Sequence, residues 1–213
     1  MKKVAVTVCL LFLISGVLMA QDEGEEKGFK KENLFTGGSI TVSFFNRQTL
    51  LGANPIFGYK LAEWVDAGLS LNFLYNGIRD YNEFNDKIRQ TVLGPGVFAR
   101  LYPVNFLFVQ GQFEHNFSTL KYIASPTSVT YMNAKNTIGA NSLLLGGGFA
   151  QGRERGSNTF YYISILFDVL KNINSPYVNV NTNPNNSSDQ RITMTPIIRA
   201  GLNIGLFQGK RRQ

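Results

Sequence analysis

The chain has one cysteine, Cys9, and it lies inside an N-terminal apolar run. There is also only one histidine, His115, which excludes a multi-histidine metal centre. Charged side chains make up 16% of the 213 residues, against about 25% in ordinary soluble domains. Charge this sparse argues against a long disordered tail as the main feature. A mean hydropathy of −0.07 excludes a bundle of apolar membrane helices.

Lys2 and Lys3 precede an almost unbroken apolar stretch from Val4 to Leu18, and Met19-Ala20 then meets Gln21-Asp22-Glu23. A basic start, a short apolar centre and a small residue before a polar switch are the layout of a secretory signal peptide, here residues 1–20. The 17 residues from Val4 to Ala20 are barely enough for a membrane helix. Cleavage removes the only cysteine, so disulfides, thiol catalysis and cysteine-ligated zinc are not expected in the mature chain. It also removes Lys2 and Lys3, lowering the formal charge from +7 to +5. The remaining basic residues look scattered, and nucleic acid is not an expected partner. Residues 21–33 (Asp22, Glu23, Glu25, Glu26, Lys27, Lys30, Lys31 and Glu32 among them) form a charged, flexible periplasmic tether. Residues 208–213 form a basic C-terminal tail.

What the chain has in plenty is glycine (21), phenylalanine (17) and tyrosine (9), arranged in eight runs of period two between residues 34 and 207. Ile40, Val42 and Phe44 alternate with Ser39, Thr41 and Ser43, and the third run sets Leu69, Leu71 and Phe73 against Gly68, Ser70 and Asn72. The others centre on residues 51–60, 93–101, 107–117, 142–149, 161–169 and 191–206, each of strand length. Short links at 62–64, 103–105 and 153–156 alternate with longer polar ones at 77–89, 123–136 and 171–190. Arg47-Gln48 is a brief exception. Short turns at one end and longer loops at the other are the layout of an outer-membrane barrel.

Alternation alone also fits a soluble, ligand-carrying barrel with an apolar inside. The composition of the two faces separates the cases. One face carries Leu, Ile, Val, Phe, Ala and Tyr without charge, and the other carries Gly, Ser, Asn, Gln and most strand charges. Eight strands leave an interior that side chains fill, and large aromatics are expected to overfill it, so the apolar face is assigned outward. A one-residue slip would turn Lys60, Arg100 and Arg199 outward, at roughly 2–4 kcal/mol each near the midplane. The expected fold is all-β, an eight-stranded antiparallel up-and-down transmembrane β-barrel of meander topology. Pro55, Pro95 and Pro196 fall within runs on the lipid side, where a missing N–H breaks the ladder, so each is expected at a bulge or beyond the membrane.

Phe35-Thr36-Gly37-Gly38-Ser39-Ile40-Thr41-Val42, Pro55-Ile56-Phe57-Gly58-Tyr59 and Ala67-Gly68-Leu69-Ser70-Leu71 resemble the small outer-membrane β-barrel domain family of Gram-negative bacteria. The resemblance covers nearly the whole mature chain and implies architecture more than activity. Arg199, Gly201, Ile204 and Leu206, followed by Phe207, are similar to the C-terminal pattern by which outer-membrane proteins engage the barrel-assembly machinery. Ile204 and Leu206 are aliphatic, and Gln208 to Gln213 extend past the phenylalanine.

Chemistry is scarce. His115 has lipid-face parity near the long-loop end. A hydrolase resembling the outer-membrane lipid A deacylases would need serine and glutamate beside it, but Glu114 and Ser118 have the opposite parity. An interfacial ring beside Phe113 and Phe117 is the simpler role. Lys60, Asp66, Arg100, Glu114, Asp168 and Arg199 share the lumen face. Arg100 and Glu114 lie on neighbouring strands, as do Asp168 and Arg199, which suggests structural ion pairs or, alternatively, an ion path. Gly146-Gly147-Gly148 lacks the following helix and lysine of a phosphate loop. Asp80, Glu83 and Asp86 miss calcium-loop spacing. No cofactor or metal is expected. The expected role is a non-enzymatic outer-membrane protein, structural or interacting, exported by the general secretory route and presenting loops to an external partner. A narrow channel and a lipid-modifying hydrolase using His115 are the alternatives.

Overall fold

The computed structural model describes residues 29–45, 48–154, 157–183 and 186–207. The expected signal peptide, most of the charged tail and the basic C-terminal tail lie outside the described residues. A single 3-10 turn, Lys31–Asn33, leads into the first strand.

Eight strands close into a barrel: β1 (Leu34–Phe45), β2 (Gln48–Ala62), β3 (Val65–Arg79), β4 (Lys87–Val104), β5 (Leu107–Ile123), β6 (Ala134–Gln151), β7 (Phe160–Asp168) and β10 (Ile197–Gly205). Every pairing is antiparallel, and β10 returns to β1 from Phe35↔Gly205 to Ile40↔Ala200. Closure pairs every barrel strand on both sides, although residues 41–45 of β1 run past β10 and residues 134–142 of β6 run past β7 at the long-loop end. β8 (Val178–Asn183) and β9 (Asn186–Met194) form a separate two-stranded sheet in the last long connection. The run expected over 191–206 is therefore divided: Arg191, Thr193 and Met194 belong to β9, and the barrel strand begins at Ile197. Strands β3 to β6 also run further into the long-loop end than the sequence suggested. They span 15–18 residues, where crossing a bilayer needs about 9–11.

At the closing seam, Gly37 (φ +153°) and Gly38 (φ +149°) occupy backbone conformations that side chains rarely adopt. A Cβ on Gly37 would run into the Leu202 carbonyl, and one on Gly38 into the Asn54 carbonyl and the Pro55 backbone. Absence of side chains lets β1 lie tightly between β10 and β2.

Two of the three prolines depart from expectation. Pro55 and Pro95 sit in mid-strand with no bulge: Pro55 stays in register with Gly38, and Pro95 with Leu71. On the other side of each, pairing lapses for two residues, at Asn54-Pro55 against β3 and Gly94-Pro95 against β5, and resumes in the same register. Each strand thus forgoes a ladder bond on one side, at about 1 kcal/mol, without changing course. The register shifts lie near the short turns instead, at Lys60/Ala62 and Leu101/Val104. Pro196 is outside the strands, between β9 and β10.

The faces divide sharply. Outward-pointing Ile40, Leu69 and Tyr161 are 70%, 61% and 70% exposed, while inward-pointing Arg100, Glu114 and Arg199 are 1%, 0% and 4% exposed. Large aromatics do not overfill the interior. Phe35, Phe98, Tyr102, Phe108, Phe160 and Tyr162 are buried within it toward the short-turn end. Glycines on facing strands make the room, since a Cβ on Gly58 would fall within the Phe35 ring and one on Gly148 would press on Phe108.

Candidate functional site: the filled lumen and the loop end

Period-two strands send one residue in two inward, so side chains of non-adjacent strands meet across a narrow lumen. Glu114 of β5, fully buried, pairs with Arg199 of β10 at 3.3 Å. Arg199 also donates to Gln112 Oε1 (3.0 Å) and Asn54 Oδ1 (3.2 Å). Gln112 donates to Glu114 Oε1 (2.6 Å) and Ser70 Oγ (3.0 Å), and Gln110 donates to Gln112 Oε1 (2.8 Å). The chain ends on Arg100, which donates to Gln110 Oε1 (2.8 Å) and Asn203 Oδ1 (3.1 Å). A connected network of this kind supplies the partners that buried charge requires.

The pairs suggested by neighbouring strands are not the ones formed. Arg100 is held by amides and lies 4.3 Å from the Tyr162 ring centre and 5.1 and 5.2 Å from those of Phe98 and Phe108. Such cation–π contacts are worth about 0.5–2 kcal/mol each. Asp168 receives the Ser175 hydroxyl (2.6 Å) and the backbone N–H groups of Leu143 and Leu170 (both 3.2 Å). Lys60 and Asp66 stand opposite in register, yet the Lys60 ammonium reaches Glu63 at 2.8 Å, and Asp66 lies 3.9 Å from Arg153. Arg153 comes from a short turn. It stacks 3.6 Å from the Tyr102 ring centre and donates to the Glu63 carbonyl, closing the short-turn end.

Two contributors come from the long connection before β8. Ser175 bridges Asp168 and Ser142, and the Tyr177 hydroxyl donates to Glu114 Oε2 (2.7 Å) while accepting from Asn72 (2.7 Å). Only one sequence signal pointed there: a single aromatic, Tyr177, in an Asn/Ser/Pro-rich stretch. Above this plug is a cavity of about 400 Å3 lined by Thr41, Asn54, Asn72, Gln90, Tyr177 and Arg199, among others.

His115 points outward, donates from Nδ1 to Asn141 Oδ1 at 2.6 Å, and packs edge-on against Phe117 at 4.6 Å. Glu114 and Ser118 are buried on the opposite face. In β10, Arg199 faces in, Ile204 and Leu202 face out, and Gly201 passes so close to Gly38 that a Cβ would strike its carbonyl. Leu206 donates its N–H to Leu34, and Phe207 follows at φ +57°.

The Asp80, Glu83 and Asp86 cluster closes a loop. Asp86 accepts the N–H groups of Tyr81 (2.6 Å), Asn82 (2.9 Å) and Glu83 (3.1 Å) and the Tyr122 hydroxyl (2.9 Å). Asp80 accepts the Asn85 N–H. No group of residues suited to a metal ion occurs among the described residues. Burial raises the Asp86 pKa, but the hydrogen bonds, led by the Asn82 N–H, more than reverse this and hold it below the ordinary 3.8. A depressed folded value stabilises the loop above the unfolded pKa, and this stabilisation is lost as pH falls through the folded one. Protection of the 80–86 amides against hydrogen exchange, relative to unfolded amides at the same pH, should therefore be high at pH 7 and fall below about pH 4. Asp86→Asn should be poorly protected at both. Equal protection in the variant at pH 7 would deny the carboxylate this role.

No family model matches the sequence, and no curated protein does. Among solved structures, the fold is similar to that of Ail, the attachment invasion locus protein of Yersinia pestis, solved in complex with the heparin analogue sucrose octasulfate. The identity is 10%, the match covers 80% of this chain and 94% of that one, and the TM-score is 0.45.

Proposed function

We propose that the chain is a non-enzymatic outer-membrane β-barrel with a structural or interaction role, anchored by its walls and presenting its long connections outside. The observation that carries this reading is the inverted burial: apolar side chains cover the exterior, while ions and amides fill the interior. In water each exposed large apolar side chain would forgo about 1.5–3 kcal/mol of burial, whereas a bilayer removes that loss. A closed ladder meets lipid with its backbone groups satisfied. Residues 1–20 act as a cleaved export signal. The barrel-assembly machinery reads the last strand through Arg199, Gly201, Ile204, Leu206 and Phe207.

The filled lumen favours this role over the channel. Arg100, Gln110, Gln112 and Arg199 span the interior, and Tyr177 lies over Glu114, so planar bilayers should show no conductance steps. Steps that change in Arg100→Ser would make the channel the better reading. The hydrolase alternative lacks an outward nucleophile beside His115, and His115→Ala should leave lipid A unaltered.

The direct test is refolding of the mature chain in detergent micelles. Unheated in SDS, the barrel should migrate differently from the boiled chain and give a β-rich circular dichroism spectrum. A chain that folds as a soluble monomer in plain buffer would overturn the membrane reading.

A further inference from the structure

Five cations gather on four adjacent strands of the outer wall, at its long-loop end. Register sets Arg89 of β4 beside Lys121 of β5, and Lys121 beside Lys135 of β6. Nearer the loops, Arg79 of β3 stands opposite Lys87 of β4. All five share the parity of the outward residues Phe73, Leu93, Phe117 and Leu145, and all but half-buried Lys87 are exposed.

The rows beneath them are ordered. Leu93, Phe117 and Gly139 form an apolar row, and Thr91, Thr119 and Thr137 form a hydroxyl row with Thr119 and Thr137 bonded at 3.1 Å. Arg89, Lys121 and Lys135 come next. Four residues at about 3.3 Å each, on a strand tilted about 40°, raise this row about 10 Å above Leu93. Such a height suits headgroups better than acyl chains.

Three like charges on adjacent strands repel one another, and no carboxylate on the outer wall of β3 to β6 offsets them. The acidic residues of these strands, Asp66 and Glu114, are both buried inside. In the adjoining loop, Asp86 is committed to loop N–H groups and Tyr122, and Asp80 accepts the Asn85 N–H. Beside the row lies a notch of about 220 Å3 walled by Thr49, Tyr75, Arg79, Lys87 and Arg89. Gly77 forms its floor, where a Cβ would meet the Tyr75 hydroxyl at 3.2 Å.

We propose that this row and notch bind the phosphoryl groups of an outer-leaflet glycolipid, with Arg79, Lys87 and Arg89 around one phosphate and Lys121 and Lys135 extending the contact. The proposal rests on the outer-membrane reading and names the lipid class that the wall selects.

The test uses the full mature chain in micelles, with diphosphoryl lipid A as probe and retention read by native mass spectrometry. The wild type should retain the lipid saturably, and less so as salt rises. Arg89→Gln/Lys121→Gln/Lys135→Gln should weaken retention roughly 100-fold, taking about 1 kcal/mol for each basic side chain near an anionic surface. Arg79→Gln/Lys87→Gln, which empties the notch, should weaken it independently. Unchanged retention in both variants, or equal retention of dephosphorylated lipid A, would overturn the proposal. Displacement of the lipid by inorganic phosphate at equal concentration would also overturn it, making the notch a site for free phosphate. Gel migration before and after boiling is recorded on every protein: a wild type without a heat-sensitive band defeats the outer-membrane reading itself, whereas a folded barrel indifferent to lipid A defeats only this inference.

Discussion

Arg199→Met should destabilise the barrel by about 3–5 kcal/mol in urea titrations followed by loss of the folded gel band. Glu114 is fully buried, and Arg199 is the cation within ion-pair distance of it. Methionine fills similar space but leaves the carboxylate with only neutral donors: Gln112, Asn116 and Tyr177. Asn54 and Gln112 lose a donor as well. The double variant Arg199→Met/Glu114→Gln removes both charges and should recover most of the loss, because the dominant cost is the orphaned ion rather than the missing bond. A single variant within about 1 kcal/mol of wild type would mean that the neutral donors Gln112, Asn116 and Tyr177 suffice to hold Glu114.

Gly38→Val should abolish the folded band or leave it only at low temperature. Its φ of +149° is hostile to a β-branched side chain, and the added atoms would meet the Asn54 carbonyl and the Pro55 Cα, neither of which can swing aside. Steric conflict with backbone at the seam belongs with the most damaging substitutions, above about 4 kcal/mol. A Cβ at Gly152, another glycine of positive φ (+82°), meets nothing within 4 Å, so Gly152→Val should be damaging chiefly through its backbone conformation. A Gly38→Val barrel of normal stability would show that β1 can retreat from β2.

The architecture was legible because a side-chain period of two assigns faces without knowledge of contacts. Lys60, Asp66, Arg100, Glu114, Asp168 and Arg199 have inward parity for that reason alone. Their partners were not legible. A lumen this narrow brings β5 against β10, so Glu114 finds Arg199 across the barrel rather than Arg100 next door. Aromatics misled for a related cause: Phe35 and Phe108 fit inside because Gly58 and Gly148 stand opposite them on the neighbouring strands, and that complementarity appears only in register. The β8–β9 sheet hid within a polar stretch whose alternation merged with the last strand. The cationic rim looked like scatter because Arg89, Lys121 and Lys135 are far apart in sequence and adjacent only across strands.

The route by which Glu114 acquires its counter-charge bears on the order of assembly. Its carboxylate is on the fifth barrel strand, and the guanidinium that neutralises it is on the last, after the Tyr177 segment has also passed. A sheet of the first seven strands thus carries that acid without its ion-pair partner, since the inward cations already present are engaged elsewhere: Lys60 with Glu63, Arg153 near Asp66, and Arg100 with Gln110 and the Tyr162 ring. Closing the ring without that strand would bury the acid unpaired, so closure and neutralisation are coupled: a chain truncated before Arg199 lacks both the final strand and the guanidinium that pairs with Glu114 in the closed barrel.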